Sequence, residues 1–117
     1  MLKTYDIVDG KIIENQMGPI CAYIAPTEEE KRKLVDDFQI DPHSLNSALD
    51  PDEISRLEFE DNHIAVILKQ PRNYSADDLL GFGVTSVGVF LFEDRIIIVQ
   101  PEDNPLFEYG RVSLRAK

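Results

Sequence analysis

The sequence contains one cysteine, two histidines and no tryptophan in 117 residues. A single cysteine cannot form a disulfide within the chain, and three cysteine and histidine residues in all are too few for a structural zinc site. Cys21 lies in an apolar run, which favours a buried thiol. We expect both histidines at the surface, because His43 lies in the first turn of a helix and His63 begins a strand beside a turn. Neither stands in a nucleophile motif. The sequence therefore does not predict an enzyme.

Basic residues are also scarce. Twelve Lys and Arg stand against 22 Asp and Glu, which gives a formal net charge of −10. A chain this acidic is not expected to bind nucleic acid or anionic lipid, because both need a positive protein surface. Residues 28–61 hold twelve acids and four bases, and therefore eight of the ten net negative charges. A surface of this kind concentrates cations around itself.

The chain has no apolar run long enough to span a bilayer. The longest, Phe82 to Phe92, is interrupted by glycines and polar residues. The N-terminus lacks the apolar segment of a signal peptide, and the low cysteine content suits the cytosol. We expect a soluble cytoplasmic unit, and the length predicts a single domain over residues 1–117.

Hydrophobic periodicity and turn residues predict strands first and helices next. Residues 1–25 read as strands, with a hairpin at Asp9-Gly10. Residues 27–50 predict two helices. Thr27 opens the first with a capping box, and Asp41-Pro42 begins a second, short helix.

Residues 56–100 predict four further strands. Leu57 and Phe59 alternate with charged residues, the pattern of a half-buried strand whose apolar side faces the core. Ile64 to Leu68 is continuously apolar, as in a strand covered on both faces. With a tail at 101–117, the order is three strands, two helices and four strands. This order predicts an α/β (α+β) fold, in which helices pack on a mixed, largely antiparallel sheet.

An acidic stretch follows the second helix. Asp50, Asp52 and Glu53 are grouped around Pro51. They do not form an EF-hand, because Ser55 stands where that loop requires glycine. Two interpretations remain from the residues alone. One is a weak Mg²⁺ or Ca²⁺ contact made by these carboxylates, and the other is a turn at the end of a helix with solvated acids.

The segment from Phe38 to Leu68 resembles a known family. Phe38 to Pro42 is similar to the F-G-I-H-P-like turn in the cytoplasmic N-terminal domain of the CorA family of magnesium and divalent-cation transporters. A short helix, a polar linker with Arg56 and Glu58, and an apolar strand follow in the order that the family shows. The resemblance extends over residues 20–100 and implies the fold of the CorA soluble domain.

The resemblance also implies a function. The chain is then the cytoplasmic regulatory domain of a channel that transports Mg²⁺, and often Co²⁺ or Ni²⁺, across the cell membrane. Family members are pentamers, in which Mg²⁺ bound between neighbouring cytoplasmic domains holds the pore closed. The expected partners are the protein's own transmembrane region and further copies of the chain. We expect residues 101–117 to lead towards a stalk helix, and the gene to continue past Lys117 into two membrane spans.

The regulatory acids of the family align here with Asn46 and Ser47, which carry no charge. Two possibilities follow from the resemblance. Either the sensing of Mg²⁺ has moved to a weak regulatory site in the loop with Asp50, Asp52 and Glu53, or this member is not gated in the way that is usual for the family. A different hypothesis needs no membrane part: the chain is a free-standing soluble acidic module that binds a protein partner.

Overall fold

A computed structural model describes residues 1–72 and 83–102 of the chain. Within these residues, two helices separate three N-terminal strands from four C-terminal strands. The strands are β1 Leu2–Val8, β2 Lys11–Glu14, β3 Ile20–Ile24, β4 Arg56–Phe59, β5 His63–Arg72, β6 Gly83–Phe92 and β7 Ile96–Gln100, and the helices are α1 Glu28–Asp36 and α2 Pro42–Ala48. The predicted order of elements is therefore confirmed.

All seven strands form one sheet in the order β2-β1-β3-β7-β6-β5-β4. Only β3 and β7 run parallel, and the other neighbouring pairs are antiparallel. The parallel pair lies in the middle and joins the N-terminal strands to the C-terminal ones. This arrangement confirms a mixed, largely antiparallel sheet.

Local sequence fixes where both helices begin. The Thr27 hydroxyl accepts from the Glu30 backbone N–H at 3.1 Å, and the Glu30 carboxylate accepts from the Thr27 N–H at 2.9 Å. This is the predicted capping box, which satisfies two backbone donors that the helix itself cannot pair. At the second helix, the Asp41 carboxylate accepts from the backbone N–H of His43, and Pro42 occupies the first turn.

Both helices lie on one face of the sheet, which we call the helix-covered face. Apolar side chains from the helices and from four strands meet there, with Gly88 of β6 facing Ala48 of α2. A Cβ atom on Gly88 would lie 2.5 Å from the Cβ of Ala48, so α2 packs close to the sheet because this position is glycine. The core residues of this face are Tyr23, Leu34, Ile40, Leu45, Ala48, Ala65, Ile67, Phe90, Ile97 and Val99.

The opposite face of the sheet is apolar as well, and its central part is buried at Ile20, Ala22, Val87 and Ile98. Towards the β4 edge, the side chains of this face are exposed. Leu57 and Phe59 expose 55% and 74% of their surface, respectively. The prediction that the apolar side of β4 faces the core is thus wrong, because the helices cover the other side, where Arg56 and Glu58 lie.

The prediction that β5 is covered on both faces is also wrong. Ala65 and Ile67 are buried under the helices, whereas Leu68 exposes 44% of its surface on the opposite face. Within residues 1–72 and 83–102, no helix has the length and apolar character needed to cross a membrane. The predicted tail falls mostly outside the described residues.

Candidate functional site

The candidate ligand residues follow one another along α2 and the loop after it, on the helix-covered face. Helix α2 packs against β5, β6 and β7. Leu45 and Ala48 are buried in the core. The two residues between them project in different directions, because successive residues of a helix are rotated around its axis. Asn46 is consequently exposed, whereas Ser47 is buried.

Ser47 is fully engaged inside the protein. Its side chain is only 1% exposed. The hydroxyl donates to the backbone carbonyl of His43 at 2.9 Å and accepts from the Arg56 guanidinium at 2.7 Å. A hydroxyl held in this way faces the sheet, so it is not available to an ion approaching from the helix surface.

Asn46 lies in different surroundings, beside a cavity of about 320 Å³ between α1 and α2. The cavity wall carries two acids and two bases, in addition to apolar residues, and Lys31 is paired with Glu28 at 3.3 Å. Because these charges balance, the cavity has no net negative charge to attract a cation. The charged residues of the wall are Glu28, Lys31, Arg32 and Asp36.

The three candidate acids lie in the loop that leads from α2 to β4. Asp50 and Asp52 are exposed, and the Asp50 carboxylate accepts from the backbone N–H of Asp52 at 2.9 Å. Glu53 is half-buried and forms an ion pair with Arg56 at 3.1 Å. Arg56 also pairs with Glu58, so one guanidinium joins the loop, β4 and α2. The turn predicted at this position is confirmed.

Two polar residues of the sheet, Lys69 of β5 and Ser86 of β6, form an anchor that holds this loop. The Ser86 hydroxyl donates to the Asp50 carbonyl at 2.6 Å, and the Lys69 ammonium donates to the Pro51 carbonyl at 2.7 Å. Lys69 also donates to the Ser86 hydroxyl at 2.9 Å. The loop backbone is thus tied to β5 and β6 through two bonds, one of which brings a positive charge close to the acids, and the third bond joins the two anchoring side chains to each other.

These contacts limit the kind of cation site that the loop can offer. Among residues 1–72 and 83–102, no group of three Asp, Glu, His or Cys side chains gathers closely enough to hold a metal ion. Glu53 is already paired with Arg56, which leaves Asp50 and Asp52 as exposed carboxylates. Mg²⁺ commonly keeps several waters and binds through one or two carboxylates. The loop fits a weak, hydrated contact of that kind and does not fit a site with many direct ligands. Mg²⁺ binding here stays a prediction.

Sequence reasoning missed the anchor residues Lys69 and Ser86. The signal was present in the spacing. Lys69 follows Ile67 by two positions and Ser86 precedes Gly88 by two, so each polar residue continues the helix-covered face of its strand. A polar side chain at an inward position requires a partner, and here the partner is the loop backbone.

Cys21 shows no feature of a catalytic thiol. It is partly buried against the core of the helix-covered face. Burial raises the pKa of this thiol, and the more distant charges of Arg95 and Lys33 offset that effect only in part. The thiolate is the reactive form of cysteine, so a raised pKa makes Cys21 less reactive than a free thiol.

Comparison with known proteins gives consistent matches. The sequence model of the family described as CorA-like Mg²⁺ transporter protein matches residues 21–115. The soluble domain of CorA from Methanocaldococcus jannaschii has a similar structure, with a TM-score of 0.60 and 21% identity over 87% of this chain and 40% of that chain. The complete CorA magnesium transporter from the same organism gives a TM-score of 0.57 and 21% identity, over 88% of this chain and 32% of that one. No curated protein sequence matches.

The chain spans less than half the length of either solved structure. At this level of identity, the structural likeness shows a shared fold, with the predicted sheet and helices. The family match adds the sequence relationship, since it covers most of the chain, including α2, the acidic loop and all four C-terminal strands. The chain therefore belongs to the CorA-like family of Mg²⁺ transporter proteins and corresponds to the N-terminal soluble domain of that family.

Proposed function

We propose that this chain is the regulatory domain of a CorA-like transporter that carries Mg²⁺ across the cell membrane. In this proposal the domain lies on the cytoplasmic side, is connected to a transmembrane region of the same protein, and responds to the divalent cation concentration there. The family match over residues 21–115 carries the proposal. The same match does not favour the alternative of a free-standing module that binds a protein partner.

The charge distribution supports a regulatory role. Most acids of residues 28–61 lie in or beside the two helices and in the loop that follows α2, and the others lie in β4 and the β4–β5 turn. The exposed members include Glu28, Glu29, Asp36, Asp50 and Asp52. Because like charges repel, copies of this surface that approach one another in a homo-oligomer, such as the pentamer implied by the resemblance, are pushed apart.

Cations screen such repulsion, and a divalent cation does so more strongly than a monovalent one at the same concentration. A domain with a net charge of −10 is therefore sensitive to divalent cations even when it lacks a closed coordination site. The exposed pair Asp50 and Asp52 is the part of the surface where a hydrated ion could make direct contact. Asn46 and Ser47 add no charge to this response.

The proposal predicts a flux that depends on the cation concentration on the side of the domain. The experiment reconstitutes the full-length protein in vesicles with this domain inside, and records Mg²⁺ entry with an indicator dye at different internal Mg²⁺ concentrations. We expect fast entry at low internal Mg²⁺ and a flux at least several-fold slower once internal Mg²⁺ exceeds the millimolar range, where weak carboxylate contacts become occupied.

Cargo selectivity is measured in the same vesicles with Co²⁺ or Ni²⁺ outside. Vesicles without protein provide the background. A flux that equals this background contradicts the transport function. A flux that exceeds the background but is the same at all internal Mg²⁺ concentrations retains transport and contradicts regulation by this domain.

A further inference from the structure

His63 lies inside the protein rather than at the surface, where the sequence predicted it. It is the first residue of β5, and only 5% of its surface is exposed. The imidazole stacks on the Phe92 ring, with 4.7 Å between the ring centroids, and contacts the edge of Phe90 at 5.8 Å. The ring therefore fills a place in the core that suits an apolar side chain.

The hydrogen bonds of Asn62 determine which ring nitrogen carries the proton. The Asn62 amide nitrogen donates to the carbonyl of Phe38, just beyond the end of α1, at 3.3 Å. The amide oxygen of Asn62 then faces His63 Nδ1 at 2.7 Å. An oxygen acceptor at this position requires that Nδ1 carry the hydrogen, so Nε2 holds a lone pair in the neutral ring.

Nε2 is buried, and in the described part of the chain it has no hydrogen-bond partner. Protonation of His63 places an N–H and a positive charge at this nitrogen. A buried charge without a partner is costly, and so is a buried unpaired donor. The ring can meet this cost only by moving towards water, which breaks its stacking on Phe92 and its contact with Asn62.

Charged groups on the surrounding elements do not remove this cost. Burial lowers the pKa of His63, and the carboxylate of Glu60 in the β4–β5 turn opposes that effect only in part. Asp61 follows in the same turn. On the other side, the Arg95 guanidinium lies 5.0 Å from the centre of the Phe38 ring, which in turn contacts Phe92. The other charged groups in the adjoining turns are Asp37, after α1, and Glu93 and Asp94, in the β6–β7 turn, where Asp94 pairs with Arg95 at 3.6 Å.

We propose that protonation of His63 releases the end of α1 from the sheet, so that this contact is closed with a neutral ring and opens in mild acid. The link runs from the ring to Asn62, and from Asn62 to the Phe38 carbonyl. The segment it holds ends at Ile40, whose backbone N–H donates to the Leu34 carbonyl at 3.2 Å. Loss of the link opens this bond, so that the amide hydrogen of Ile40 exchanges with water.

The direction of the pH effect follows from the lowered pKa of the closed state. In the open state the ring titrates near its ordinary value of 6.5. Above that pH both states are neutral, and the closed state keeps its full stability. As the pH falls below 6.5, the open state binds a proton that the closed state rejects, so opening becomes more favourable by up to about tenfold per pH unit. Once the pH falls below the lower pKa of the closed state, both states bind the proton, and opening is favoured no further.

The test is amide hydrogen exchange of the 117-residue chain between pH 7.5 and pH 5.5, expressed as protection factors. We expect the protection of the Ile40 amide to fall up to about tenfold at pH 5.5. The Lys31 amide, which donates to the Thr27 carbonyl in the first turn of α1 at 2.9 Å, should change much less. The variants His63→Phe and His63→Gln cannot gain a proton, so whichever of them folds should abolish the fall at Ile40.

The matched control is His43→Gln, which removes the exposed histidine of α2 and should retain the wild-type behaviour. Three results would overturn the proposal. They are a constant protection factor for Ile40 in the wild type, an equal fall at Ile40 and Lys31, and an undiminished fall at Ile40 in a folded His63 variant.

Discussion

Phe90 and Phe59 lie on opposite faces of one sheet, and their side chains differ greatly in exposure. Phe90 is completely buried between the sheet and the helices, whereas Phe59 exposes 74% of its surface. The β4–β5 and β5–β6 registers place Phe59 beside Ile64, and Ile64 beside Leu91, on the face away from the helices. Both faces are apolar, yet only one carries α1 and α2.

The comparison shows that apolar alternation identifies the two faces of a strand but does not identify the covered one. On β4, the helix-covered side carries Arg56 and Glu58, whose charges are used to hold the acidic loop. The helix-covered face therefore combines two tasks. Its centre supplies the core, and its β4 edge positions the candidate cation-binding loop.

Truncation of each phenylalanine in turn should have very different effects on stability. Phe90→Ala should lower the free energy of unfolding by about 3–5 kcal/mol, because it removes a buried ring and leaves a cavity. Phe59→Ala should change it by no more than about 0.5 kcal/mol, because the ring is already in contact with water. Urea denaturation monitored by circular dichroism measures both values. Equal losses for the two variants would contradict the assigned faces.

Two neighbouring hydroxyls on β6 also lie on opposite faces of the sheet, and we expect a smaller difference between them. Ser86→Ala on the helix-covered face should cost about 1–3 kcal/mol, because the Asp50 carbonyl and the Lys69 ammonium lose their partner. Its control is Thr85→Val on the opposite face. The Thr85 hydroxyl is buried without a hydrogen-bond partner in the described part of the chain, so its removal should be neutral or stabilising.

The same denaturation measurements test this pair. Limited proteolysis provides a second measurement. Cleavage between α2 and β4 should be faster in Ser86→Ala, because the loop loses its bond to the sheet, and unchanged in Thr85→Val. A loss of stability in Thr85→Val that equals the loss in Ser86→Ala would show that Ser86 does not anchor the loop.

Local signals in the sequence predicted most of the elements. The capping box at Thr27, the Asp41-Pro42 helix start and the Asp9-Gly10 hairpin each involve residues a few positions apart, so their geometry depends little on the rest of the chain. The structure confirms all three. The order of elements, with the segment from Phe38 to Leu68, was also enough to indicate the family.

Features that depend on distant residues were not predictable in the same way. His63 follows a turn and is polar, yet β6 places Phe90 and Phe92 against it and makes it a core residue. The anchoring of Asp50 by Ser86 joins residues 36 positions apart. The acids of the loop were visible in the sequence, but their partners were not. Those partners determine that Glu53 is paired with Arg56 while Asp50 and Asp52 stay exposed.

In the proposed function, a divalent cation contacts this domain weakly, through the exposed carboxylates of the loop after α2. The most direct test is calorimetric titration of the chain with Mg²⁺ at physiological ionic strength. Wild type should bind with a dissociation constant on the order of 1 mM. The variant Asp50→Asn/Asp52→Asn should bind at least several-fold more weakly.

The matched control for this titration is Asp9→Asn/Glu14→Gln, which removes the same number of exposed charges from the β1–β2 hairpin, at the far edge of the sheet. It should bind Mg²⁺ as wild type does. Identical isotherms for the two double variants and the wild type would contradict the claim and assign Asp50 and Asp52 to solvation alone.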